Sequence, residues 1–100
     1  MSENIKRYAK EQQLNPNKAG EVVLAAAASQ TEIGAYLSPD QLEAIGILPT
    51  DTKKQIIQKL RAVIGSKEAI DACSDGKESD LPYIVSIFNN EIRGVLDWLK

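Results

Sequence analysis

The stretch LPYIVSIFNNEIRGVLDWL, residues 81 to 99, decides the fold class, because it admits two readings with opposite consequences. As a helix it aligns Leu81, Ile84, Val85, Phe88, Ile92, Val95, Leu96 and Leu99 on one apolar stripe, the three- and four-residue spacing of a core-facing helix. As a hairpin it would run Tyr83 to Phe88 as a strand into a type I′ turn at Asn89-Asn90. Eight matches to the helical pattern in 19 residues outweigh one β-rich hexamer, and the spacing predicts a long C-terminal helix.

Outward from that helix, the chain carries start and stop signals at short intervals. Ser74 to Asp80 reads as a polar loop around Gly76, and Ser66 caps a brief helix with Ala69, Ile70 and Cys73 on its apolar edge. Thr50 to Thr52 cap a fourth helix whose Ile56, Ile57, Leu60, Val63 and Ile64 form an apolar face, ended by Gly65. Ser38-Pro39-Asp40-Gln41 combines an N-cap Ser, a Pro at the first helical position and a Gln placed to close a capping box. Leu37 and Leu42 flank it as a hydrophobic staple, and Gly46 stops that short helix.

Upstream, Asn15-Pro16 reads as the cap and first residue of a second helix, and a short helix with Ile5, Tyr8 and Ala9 on one side precedes it. The second helix carries Ala19, Val22, Val23, Ala26, Ile33 and Leu37 on its core stripe. Gly20, Ala27 and Gly34 recur on a separate line every seven residues. Glycine costs about 1 kcal/mol relative to alanine inside a helix, so these positions imply close packing or a local break near Gly34. The expected architecture is all-α: a compact bundle of five to six helices, with the second, fourth and last supplying most of the core and the long C-terminal helix central to it.

One hundred residues, 43 % apolar and 26 % charged, are sized for a single helical domain over residues 1–100. The longest apolar run, Val22 to Ala28, is seven residues, whereas a membrane span needs about 20. Ser2 to Gln13 is polar and of mixed charge, without the apolar core of a secretory signal, and the single cysteine suits a reducing compartment. The expected location is cytoplasmic, with no membrane association.

Histidine is absent, which removes the commonest general base and metal ligand. No nucleophile–base spacing, thiolate cluster or glycine-rich phosphate loop stands in the chain. Asp71, Asp75, Glu78 and Asp80 cluster, but an EF-hand register from Asp71 puts Cys73 at its third position and Pro82 at its twelfth, so they read as a solvated acidic loop. Cys73 reads as core packing. The expectation is a protein without catalytic, cofactor-binding or metal-binding residues and without a cofactor, unless folding brings distant carboxylates together.

Two faces suggest a partner. Tyr83, Ile87, Gly94 and Trp98 form a second apolar strip on the last helix, about 100 to 120° from its core stripe. They are the expected interface with another protein, or with a second copy in a homodimer, with Trp98 as a partly exposed anchor; the alternative is a helix central to its own domain, with Trp98 packed inside it. Lys54, Gln58 and Arg61 share a flank of the fourth helix, within a segment, Lys53 to Lys67, that holds five cations and no acid. That flank suits an acidic partner or phosphates, and Lys53, Lys54, Lys59, Arg61 and Lys67 carry the alternative of nucleic-acid binding. The principal expectation is a small adaptor, regulator or inhibitor that works by binding protein.

Leu37, Leu42, Ile45-Gly46-Ile47, Lys54, Ile56-Ile57 and Leu60 resemble, without gaps, the stretch of sterile-alpha-motif domains in which a short helix leads through Leu-Gly-Ile into the last long helix. The resemblance implies a helical module that self-associates, binds proteins or binds RNA. Asp51-Thr52 stands where that family usually has Gly-His, and some 40 residues follow Leu60.

Overall fold

A computed structural model describes residues 3–30, 32–73 and 81–100. Among the described residues six α-helices run in chain order: α1 (Glu3–Glu11), α2 (Ala19–Ala28), α3 (Pro39–Ile45), α4 (Lys53–Val63), α5 (Lys67–Cys73) and α6 (Leu81–Leu99), with a 3₁₀ turn at Glu32–Ala35. The described residues contain no strand, and the C-terminal stretch is one helix rather than a hairpin. The Cα radius of gyration, 13.2 Å, matches the roughly 13 Å of a folded chain of this length.

Local side-chain capping explains the starts of α3, α4 and α5. Ser38 accepts from the Gln41 N–H while the Gln41 side chain takes the Ser38 N–H, and Thr52 and Gln55 repeat the arrangement at α4. Each box satisfies two backbone groups that a helix end leaves orphaned. Gly46 ends α3 at φ 102°, in the left-handed region that suits glycine. Ser66 caps α5 by accepting from the Ala69 N–H.

The second helix departs from its sequence reading at both ends. It begins at Ala19 rather than Pro16: Asn15 accepts the Asn17 N–H as a cap would, but residues 16 and 17 form only a local turn. No side chain caps α2; instead the Gly20 and Glu21 N–H groups donate to the Asp51 and Pro49 carbonyls at 2.9 and 3.1 Å. The helix ends at Ala28, with Gln30 at φ 58°, so the break precedes Gly34. Past it the 3₁₀ turn folds back, and a methyl on Gly34 would lie 2.9 Å from the Ala27 carbonyl oxygen. The small residues of α2 and the turn thus serve packing within the chain.

One contiguous core draws on all six helices. Two helices act as hubs, α2 and α6, and α1, α4 and the 3₁₀ turn each pack against both. The expected contributors are confirmed: Val22, Val23 and Ala26 from α2, Ile56 and Leu60 from α4, and Ile92, Val95 and Leu99 from α6 are fully buried. The sterile-alpha-motif resemblance would make the helix after Ile47 the last long one. Here α4 has 11 residues, two helices follow it, and the 19-residue α6 is the longest.

Candidate functional site

Capping by Thr52 sets the rotation of α4, which sends Ile56, Leu60 and Val63 into the core and leaves the opposite side outward. Lys53, Lys54, Ile57, Gln58 and Arg61 line a depression of about 310 Å³ there. Ile56 and Ile57 lie about 100° apart on the helix, so both cannot reach the core centre. Ile57 is half-buried and provides the floor, while Lys54, Gln58 and Arg61 are exposed around it. No described carboxylate pairs with Lys53, Lys54 or Arg61. No acid occupies the first turn of α4, so its lysines reinforce the positive end of the helix dipole.

The structure brings Lys54, Gln58 and Arg61 together as the sequence predicts, and adds Lys53 and Ile57. Ile57 reads as a core residue in the linear pattern; its adjacency to Ile56 was the signal that one of the two must face partly outward.

Lys59, expected among the outward cations, turns inward instead. Its ammonium donates to Asp51 Oδ2 at 2.6 Å and to the Gly46 carbonyl at 2.8 Å, tying the loop before α4 to the helix. Asp51 also accepts from the Leu48 N–H at 2.9 Å. Burial pushes the Asp51 carboxyl up, but the Lys59 hydrogen bond, the Leu48 N–H and the Lys59 charge outweigh it and hold the group below the ordinary aspartate range. The Lys59 charge is therefore committed within the fold. Lys67 lies exposed on α5, outside the depression.

The expected strip on α6 is divided. Tyr83 and Ile87 are exposed, at 67 % and 40 %. Trp98 is only 8 % exposed, and its ring meets Tyr8 edge-on with centroids 6.4 Å apart. Gly94 is covered by Tyr36, whose ring a methyl at that position would approach to 2.6 Å. Trp98 is thus no partly exposed anchor, because α1 and the 3₁₀ segment cover the C-terminal half of this face. Ile5, Tyr8 and Ala9 are buried as α1 packs against both α2 and α6, with Tyr8 meeting Trp98 of the second strip. Glu91 lies on the same face, half-buried, and burial raises its carboxyl above the usual glutamate value.

The acidic positions Asp75, Glu78 and Asp80 lie outside the described residues, as does the Cys73 side chain. Among the described residues no three potential metal ligands converge, and no helix is long and apolar enough to cross a membrane. Comparison with protein families, with curated proteins and with solved structures gives no match, so the likeness to sterile-alpha-motif domains stays local to residues 37–60.

Proposed function

We propose that this chain is a non-catalytic module that binds another protein through the outer face of α4. The observation that carries the reading is the ring of Lys53, Lys54 and Arg61, unpaired with any described carboxylate, around half-buried Ile57. Cations set about an apolar floor suit a protein ligand, which offers charge and a hydrophobic side chain at once. A nucleic acid would use the same cations, but the lining holds no aromatic ring on which a base can stack, and the chain's net charge of −2 opposes long-range attraction of a polyanion.

Peptide display against the full chain tests this reading. Selection from an unbiased library should enrich peptides that bind the native chain and not the Lys54→Glu/Arg61→Glu variant. Enriched peptides that bind both equally would place the contact elsewhere. Retention of DNA or RNA at low salt, lost in the same variant, would favour the nucleic-acid alternative.

A further inference from the structure

The geometry of α4 points to a definite ligand class: a short extended acidic segment in which one apolar side chain stands between two carboxylates, in the pattern acid–x–apolar–x–acid. The inference rests on the α4 face being a protein contact, and it names what that contact selects. Lys54 and Arg61 are seven residues apart and Lys53 and Arg61 eight, which places their backbones about 10 to 12 Å apart along the helix axis. Ile57 lies between them, at the floor of the depression. In an extended peptide, residues i, i+2 and i+4 share one face, and at about 3.3 Å per residue the outer two are about 13 Å apart. Carboxylates at i and i+4 then meet the two cationic ends, within reach of flexible lysine and arginine stems, while the side chain at i+2 covers Ile57.

A helical ligand fits less well. It would present an apolar stripe of several side chains every three or four residues, and the depression on α4 offers one half-buried isoleucine. A purely charged ligand leaves that isoleucine uncovered. The occupant that satisfies both the rim and the floor is therefore a single-anchor acidic peptide.

The test is amide-resonance perturbation of the full chain by a seven-residue peptide with leucine at its centre and glutamate two positions to either side. Shifts should concentrate at residues 53–61, and affinity should fall about fivefold or more when both glutamates become glutamine or the leucine becomes serine. Raising the salt concentration should weaken binding of the parent peptide. The Lys54→Glu/Arg61→Glu variant, both sites being exposed, should remain folded and lose the response. Equal binding of the glutamine peptide overturns the acidic pattern, and equal binding of the serine peptide overturns the apolar anchor. Tighter binding of an oligonucleotide of equal charge overturns the ligand class. If display yields α4-dependent peptides without the pattern, the inference falls and the module reading stands; if it yields no α4-dependent peptide, the module reading itself falls.

Discussion

The Leu48 carbonyl lies directly against the backbone of Gly20, leaving no room for a side chain between them. The contact exists because the loop of residues 46–52 supplies the carbonyls that cap α2. Gly20→Ala gains helix propensity yet forces that loop away from two N–H groups. Equilibrium urea unfolding should show a net loss of about 2 kcal/mol. A neutral or stabilising result would mean the loop moves without cost.

Asp51 and Lys59 hold the same loop from its other side. Asp51→Asn should destabilise by about 2 to 3 kcal/mol, less than breaking a fully buried pair, because Lys59 retains solvent access. The folded-state pKa of Asp51 lies below its unfolded value, so its contribution is complete above the unfolded pKa and is lost as pH falls through the folded one. Urea midpoints measured from neutral pH into acid should fall more steeply for the native chain than for Asp51→Asn.

Glu91 has the opposite sign. Its folded pKa is raised, so folding disfavours the ionised carboxylate, and the penalty appears as pH rises through the unfolded pKa towards the folded one. Glu91→Gln should raise Tm slightly at pH 7 and leave it unchanged in acid, where both side chains are neutral. Thermal melts at two pH values are sufficient, and a lower Tm at pH 7 would contradict desolvation as the dominant effect.

Trp98→Ala should cost about 3 to 5 kcal/mol of folding stability, since it empties a space enclosed by the chain's own α1. Tyr83→Ser and Ile87→Ser, on exposed positions, should each change stability by about 0.5 kcal/mol or less. Sedimentation run beside the melts separates the two classes: a change in mass before unfolding in the Trp98 variant would mean that residue also joins subunits.

The rim of the α4 depression makes a prediction about stability as well as binding. Lys54 sits in the first turn of α4, where a cation opposes the helix dipole. Lys54→Glu should therefore stabilise the fold by about 0.3 to 1 kcal/mol while weakening any acidic ligand. Loss of both stability and binding would assign Lys54 a structural role instead.

The parts of this fold legible in the sequence are those decided within four residues. The box at Ser38–Gln41, the cap within Thr50 to Thr52 and the stop at Gly46 need no distant partner, and the structure reproduces each. The start of α2 was illegible because its caps come from Pro49 and Asp51, some 30 positions away. The burial of Trp98 depends on which helix settles over α6, and helical periodicity identifies an apolar face without naming its cover. Charge counting likewise set Lys59 beside Lys54 and Arg61, because a run of cations does not reveal which one turns inward to a carboxylate.

The Asn4 side-chain amide donates to the Trp98 carbonyl at 2.8 Å, across 94 positions of chain. The first and last helices thus stand shoulder to shoulder, which makes the fold a nearly closed ring of chain. Peeling α1 away would bare the Trp98 indole, so tryptophan emission should report any parting of these two helices before the rest of the fold opens.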